Sequence, residues 1–212
     1  MKTLKLAVLL SGSGRTLQNF IDLIKEGRLP ATIELVISSR ADAGGIAKAQ
    51  AADIPAKVIT RKGKSAEAFS QEITAALDRV NPDLICLAGY LSFYHIPKHY
   101  IGKIINIHPA LLPAFGGHGM FGHHVHEAVI EAGCKFSGCT VHFADNEYDH
   151  GPIILQKVVP VLDDDTPDTL ADRVFEQETL AYPEAIRLFA AGRLKVVGRR
   201  VLTLSQRSGE GR

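Results

Sequence analysis

Short apolar runs alternate with amphipathic helical spacings from the amino terminus to residue 108, and this alternation constrains the fold more than any other feature. LKLAVLL (4–10), IELVIS (33–38), KVIT (57–60), DLICLA (83–88) and KIINIH (103–108) read as strands. Between them, Leu17, Phe20, Ile21 and Ile24 fall at i, i+3, i+4 and i+7, a helix ending at Gly27. Phe69, Ile73, Leu77 and Val80 mark a second helix stopping before Asn81-Pro82. A less regular helix is expected in ADAGGIAKAQAAD (41–53), and a short one from Tyr94 to Tyr100. Strand–helix alternation with nearly continuous apolar strands predicts a parallel, Rossmann-like sheet covered on both faces.

After residue 108 the pattern changes. AFGGHGMFGHH (114–124) is a glycine-rich loop, followed by a helix near Val125–Ala132. SGCTVHFA (137–144) and PIILQKVVPV (152–161) are strands joined by the loop DNEYDHG (145–151), which predicts an antiparallel pair. Thr166 and Pro167 read as the cap and first residue of a helix, kinked or broken near Pro183 and ended by Gly192. LKVV (194–197) and VLTL (201–204) suggest a closing hairpin. The expected architecture is a mainly parallel central sheet with flanking helices and an antiparallel C-terminal extension. At 212 residues it suits one domain, 1–212, with a nucleotide-binding half to about residue 108 and a catalytic half from 109.

A net charge of +1 gives no electrostatic case for nucleic acid or an anionic membrane surface. The basic tail from Arg193 to Arg212 ends SQRSGEGR, which reads as a solvated, poorly ordered terminus. Residues 4–10 are too short for a membrane span and no signal-peptide cleavage pattern follows, so the expected location is cytoplasmic. Cys86, Cys134 and Cys139 show neither CxxC nor zinc spacing, which fits a reducing compartment, and Cys86 reads as core.

Chemistry concentrates at KIINIHPALLP (103–113). Strand side chains alternate, so Asn106 and His108 project from one face, one pleat apart. Pro109 cannot donate to a ladder and ends the pairing there. In open α/β sheets, ligands bind outside the carboxyl ends of the strands. A protonated imidazole and an amide can both donate to a developing oxyanion, whereas the structural reading is a hydrogen-bonded pair capping a strand. Ser11-Gly12-Ser13-Gly14 joins a strand to a helix, a geometry that aims N–H groups at an anion such as phosphate, with Arg15 and Thr16 adding donors. The P-loop pattern fails, since no GK[ST] follows. The dinucleotide fingerprint fails at Leu17, although Arg40 after the second strand keeps an NADP reading open. Asp149, on the loop joining two strands, is a candidate carboxylate partner for His108, raising its pKa and accepting a proton directly or through water. Asp145 and Glu147 compete on sequence alone. His142 is either support for the site or a structural histidine. Histidines 118, 123, 124 and 126 raise a metal reading, but their spacing is unconvincing and no metal is expected.

Taken together, VLLSGSGRTLQ, DLICLAGYL, INIHPALLPAF, GCTVHFADNEYDHGPIILQ and RVFEQETLAYPEAI resemble the phosphoribosylglycinamide formyltransferases, folate-dependent enzymes of purine synthesis. NIHP-x-LLP with a later YDxGP is characteristic of the formyltransferase superfamily. The resemblance implies a catalytic trio of Asn106, His108 and Asp149. It implies that Gly14, Arg15 and Thr16 hold the substrate phosphate and that Glu178 contacts the glycinamide nucleotide. Leu91, Ser92, Phe93 and Tyr94 would line the folate pocket with Asn106, Asp145 and Tyr148, and loop 145–149 would offer backbone contacts to the pterin. The co-substrate would be 10-formyltetrahydrofolate and the acceptor glycinamide ribonucleotide, with the protein a monomer or homodimer. In the implied mechanism Asp149 keeps His108 charged and orients a proton-relaying water. The chain departs from the family pattern at Ala110 (often serine), at Thr179 (often histidine) and at Ala66, where relatives carry a basic folate contact; Lys62 and Lys64 are alternatives for it, and the contact stays unassigned. Its 114–124 loop is longer and richer in glycine. The rivals are a formyltetrahydrofolate hydrolase, a formyltransferase acting on a sugar amine or charged tRNA, and, from another class, an NADP-binding oxidoreductase or a non-catalytic nucleotide-binding module. The hydrolase usually adds an N-terminal domain and the tRNA enzyme a C-terminal one, and this chain reads as having room for neither.

Overall fold

A computed structural model describes residues 2–205. The last residues of the basic tail, 206–212, lie outside the described residues. Nine strands form one sheet: β1 (Leu4–Leu10), β2 (Ala31–Ser38), β3 (Ala56–Val58), β4 (Leu84–Leu87), β5 (Ile104–His108), β6 (Phe136–Phe143), β7 (Ile153–Pro160), β8 (Leu194–Val197) and β9 (Arg200–Thr203). Their order across the sheet is β3-β2-β1-β4-β5-β6-β7-β9-β8. β1 to β5 run parallel, β6 and β7 antiparallel, and β8–β9 is the expected hairpin. The sheet therefore continues across residue 108, because β5 pairs with β4 on one side and β6 on the other.

Helices α1 (Arg15–Lys25), α2 (Gly44–Ala51), α3 (Ala66–Val80), α4 (His123–Glu131) and α5 (Pro167–Ala190) cover the two faces. The period-2 alternation of the strands sorts the core. Leu4, Leu6, Val8 and Leu10 pack on one side with Leu17 and Phe20 of α1, Val129 of α4, and Val174, Ala181 and Tyr182 of α5. Ala7 and Leu9 pack on the other with Phe69, Ile73 and Leu77 of α3. The Tyr182 hydroxyl lies 3.0 Å from the Leu87 carbonyl and 2.9 Å from that of Ile105, so a buried donor anchors α5 to the two strands that lead to the site.

Two expectations are corrected. The stretch from Tyr94 to Tyr100 is not a helix, apart from a single 3-10 turn at Lys98–Tyr100. Pro97 is extended at the turn's start, and Asn146 clamps Ile96 from both sides, its Oδ1 accepting the Ile96 N–H at 2.7 Å and its Nδ2 donating to the Ile96 carbonyl at 3.2 Å. Nor is the last helix broken at Pro183, which lies buried inside continuous α5. Proline removes the N–H that would bond the carbonyl four residues back, on Thr179. The Asn19 side chain of α1 donates to that carbonyl at 3.0 Å and replaces the lost bond. Smaller differences are boundaries: β3 is only Ala56–Val58, on the sheet's edge, and α4 starts two residues early, at His123. Among the described residues no helix is long and apolar enough to cross a membrane.

Candidate active site

The carboxyl ends of β4 and β5 open into a cavity of about 380 Å³. Its walls come from the glycine turn, the 88–94 segment, the end of β5, the 117–126 stretch, the 144–149 loop and one face of α5. A volume of this size falls within the range of small-molecule sites.

At the centre, β5 presents Asn106 and His108 on the same face, as period-2 alternation requires. Antiparallel pairing sets His142 directly opposite Asn106 and Thr140 opposite His108. The β6–β7 loop then turns back, with Asp149 in the left-handed region at φ 53°, and its carboxylate meets both β5 groups. Asp149 Oδ2 lies 3.4 Å from His108 Nδ1 and accepts the Gly117 N–H at 3.0 Å. Its Oδ1 receives Asn106 Nδ2 at 3.4 Å. Asp145 points elsewhere, accepting the Glu147 N–H at 2.9 Å and facing His150 Nδ1 at 3.0 Å, which leaves Asp149 as the carboxylate at His108.

Hydrogen bonding orients both imidazoles. His108 Nε2–H donates to the Phe115 carbonyl at 2.8 Å, so Nδ1 is the nitrogen that faces Asp149. His142 Nδ1–H donates to the Phe143 carbonyl at 2.9 Å, and its Nε2 accepts from Asn106 at 3.1 Å. His142 thus supports Asn106. The Asn106 amide uses both N–H groups on protein partners. The 3.4 Å contact to Asp149 is beyond the usual hydrogen-bond range and is the one that an incoming oxygen would displace.

Burial pushes the His108 pKa below its ordinary value, and the Asp149 charge and the Phe115 carbonyl offset this only in part. The Asp149 carboxylate favours the charged imidazole, and burial opposes it more strongly. For Asp149 the balance is reversed. Burial pushes its carboxyl up, but the His142 and His108 imidazoles and the Gly117 N–H outweigh burial and hold it below the usual carboxylate range.

The glycine turn forms one end of the cavity. Gly14 caps α1 at φ 73°, and a β-carbon there would lie 2.6 Å from Gly45 Cα, so only glycine lets the turn seat against α2. Gly45 of α2 is buried, and a β-carbon there would lie 2.5 Å from the Leu10 side chain, whereas Gly44 is exposed. Arg15 and Thr16 line the cavity with Gly14. The Arg15 guanidinium sits 3.8 Å over the Phe175 ring and 3.1 Å from Asp172 Oδ1, both on α5. Glu178, one helical turn on, also lines the cavity, and burial pushes its carboxyl up to about 7 against the pull of Arg15. Ser11, which the sequence reading leaves in the turn, is a tie: its hydroxyl pairs with Ser39 at 2.6 Å and accepts the Leu91 N–H at 2.9 Å, linking the turn to the 91–94 segment.

The other end is apolar. Leu91, Ser92, Phe93, Tyr94, Asp145 and Tyr148 all line it. The Phe93 and Tyr148 rings meet at 4.9 Å. Tyr94 is buried, with its hydroxyl 2.9 Å from that of Thr74, so it contributes ring surface rather than a free polar group. Lys62 and Lys64 are absent from the lining, and Lys64 is engaged by Glu72. The Arg40 guanidinium forks onto Asp42 at 3.0 and 2.7 Å. Of the clustered histidines, His123 and His126 reach the cavity, while His124 pairs with Glu127 at 3.3 Å. Among the described residues no group of three His, Cys, Asp or Glu side chains is disposed to hold a metal. His126, Phe175 and the Phe115 carbonyl escape the sequence reading of the site, since nothing in local spacing shows which faces of α4 and α5 meet the cavity.

Comparison with known proteins agrees with this geometry. The chicken trifunctional purine biosynthetic protein adenosine-3 is 43% identical over 196 residues, 91% of this chain but 19% of that protein, so the chain spans about a fifth of that relative's length. The phosphoribosylglycinamide formyltransferase of Escherichia coli K12 is 38% identical over 196 residues, covering 91% of this chain and 90% of that one. The crystal structure of glycinamide ribonucleotide transformylase 1 from Symbiobacterium toebii superposes with a TM-score of 0.90 at 43% identity, covering 96% of this chain and 95% of that one. The formyl transferase family model matches residues 4–186, a span that includes every wall of the cavity. This chain belongs to the formyl transferase family.

Proposed function

We propose that the protein transfers the formyl group of 10-formyltetrahydrofolate to the primary amine of 5'-phosphoribosylglycinamide, giving formylglycinamide ribonucleotide and tetrahydrofolate. The observation that carries this reading is the meeting of Asn106, His108 and Asp149 inside one cavity that runs from an anion-holding turn to an aromatic wall. Relatives named for this activity align over nearly the whole chain and support it.

In this reading Gly14, Arg15 and Thr16, which line the cavity at the start of α1, receive the phosphate. Glu178 contacts the nucleotide between the turn and His108. Leu91, Ser92, Phe93, Tyr94 and Tyr148 hold the pteridine, with Asn106 and the backbone around Asp145 beside it. The formyl donor supplies an electrophilic carbon. The chain's own groups direct the amine to it and stabilise the oxygen that becomes negative. Asn106 donates one hydrogen bond to that oxygen, released from its long contact to Asp149, and His108 donates the other once its Nε2–H leaves the Phe115 carbonyl. The negative charge that builds there favours the imidazolium form of His108, which burial disfavours. Asp149, ionised at neutral pH, balances the imidazolium and orients a water that passes the amine proton to the departing folate nitrogen. The route uses no metal and no covalent enzyme intermediate.

We read residues 1–212 as one catalytic domain, nucleotide-binding to about 108 and folate-binding beyond, acting in the cytoplasm on small molecules as a monomer or homodimer. The test is a formyl-transfer assay with purified protein, glycinamide ribonucleotide and 10-formyltetrahydrofolate, run with and without the amine. Tetrahydrofolate formed only when the amine is present supports the transferase. Equal release without it would favour a hydrolase, and isothermal titration showing NADPH bound in preference to a folate analogue would favour the oxidoreductase.

A further inference from the structure

His126 belongs to none of the roles above, yet it lines the cavity without a hydrogen-bond partner on either ring nitrogen among the described residues. It sits on α4 with 4% of its surface exposed, in the wall of the cavity. Its Nδ1 is buried with no hydrogen-bond partner, and its Nε2 also makes no hydrogen bond among the described residues. Only three buried side-chain polar atoms among the described residues share that condition, and of these residues only Tyr90 also lines the cavity. Nδ1 is sealed off, so Nε2, which has no protein partner among the described residues, is the nitrogen that a ligand in the cavity can reach.

The surroundings indicate what meets it. α4 packs against α5, and the cavity wall around His126 contains Gly122 and His123 of the preceding turn, Phe175 and Glu178 of α5, and His108. His123 and His108 lie close enough to His126 to act on its charge, which sets it beside the catalytic histidine. An attacking amine must be neutral, with its lone pair aimed at the electrophilic carbon, so its N–H bonds must point at acceptors elsewhere. Asp149 is already engaged by His108, Asn106 and Gly117.

We propose that His126 is a binding residue for the amine acceptor, its imidazole accepting a hydrogen bond from an N–H of the glycinamide and holding the amine on line for transfer. The inference rests on the function proposed above and adds to it a recognition contact for the acceptor. Only a neutral imidazole has the required lone pair. Burial, with His123 and His108 close by, pushes the His126 pKa down to about 4, which keeps the ring neutral across the physiological range.

The experiment compares wild type with His126→Phe, which keeps a flat ring without an acceptor, and His126→Gln, which restores one. Steady-state formyl transfer is measured with the acceptor and the folate varied separately, alongside titration of each variant with a folate analogue. The expected result is a rise of about tenfold or more in KM for glycinamide ribonucleotide in His126→Phe, unchanged affinity for the folate analogue, and substantial recovery in His126→Gln. Equal weakening of both ligands, or unchanged kinetics with the acceptor, would overturn the proposal. Should His126→Phe fail to fold, imidazole nitrogen NMR of the wild type replaces it, with His126 assigned from His126→Gln. A shift of the His126 resonances on adding glycinamide ribonucleotide supports the contact, and their indifference refutes it. Absence of any transfer by the wild type would instead sink the functional reading on which the contact depends.

Discussion

At the scale of single residues, the site is defined by how burial competes with charge. His108 and His126 are both held below their ordinary pKa by removal from water, and for His108 a carboxylate at 3.4 Å offsets only part of the effect. The sign of the linkage follows. A histidine whose folded pKa lies below its unfolded value of about 6.5 contributes nothing adverse above that pH. As pH falls below it, the unfolded chain takes up the proton first and stability is lost. For His126 the window runs from about 6.5 down to about 4, with a slope approaching about 1.4 kcal/mol per pH unit. Thermal unfolding followed between pH 7.5 and 4.5 should show a fall in Tm on acidification that is smaller in His126→Gln. A parallel fall in both proteins would show that the buried imidazole carries no such penalty. The lone pair that makes His126 a candidate amine contact is thus tied to its acid sensitivity.

At the scale of elements, glycines and prolines act through contacts with distant segments. Gly14 allows the turn before α1 to approach α2, and Gly14→Ala meets both a positive φ and a 2.6 Å approach to Gly45. The variant should lose roughly 1–3 kcal/mol of stability, the usual range for overpacking, and KM for the phosphorylated acceptor should rise more than KM for the folate. Urea denaturation and paired kinetics check this. Pro183 is compatible with an unbroken α5 because Asn19 reaches the orphaned Thr179 carbonyl. Asn19→Ala should therefore cost about 1–3 kcal/mol, and much less in a Pro183→Ala background, where the restored N–H takes over the bond. Equal costs in both backgrounds would mean that the side-chain bond is incidental.

These cases also show what local pattern can reveal. β1, β4 and β5 were legible because a doubly covered parallel strand is an apolar run, and the shared face of Asn106 and His108 follows from the pleat alone. The unbroken α5 was not legible, since the group that repairs it lies 160 residues away. The Tyr94–Tyr100 segment has apolar residues at helical spacing, yet Asn146, 50 residues on, holds its backbone extended. Spacing could not choose among Asp145, Glu147 and Asp149, because the choice depends on a backbone turn at φ 53° that aims Asp149 inward.

At the scale of the whole molecule, one sheet brings the two halves of the chain to a common cavity. The parallel strands carry the glycine turn and the 88–94 segment to one rim, and the switch to antiparallel pairing at β5 brings the 145–149 loop back over the same strand ends. Tyr182 and the Arg15 contacts dock α5 along this junction, so Glu178 and Phe175 face residues from both halves. The central claim is that this closure works through the carboxylate it delivers to His108. The most direct test is single-turnover formyl transfer by wild type and Asp149→Asn, with acceptor affinity measured on the same preparations. The account expects acceptor-dependent transfer by the wild type, a fall of roughly 10²–10⁴-fold in the variant, the range for loss of a general acid–base group, and little change in acceptor binding. Transfer at the wild-type rate by Asp149→Asn, or none by the wild type, would contradict it.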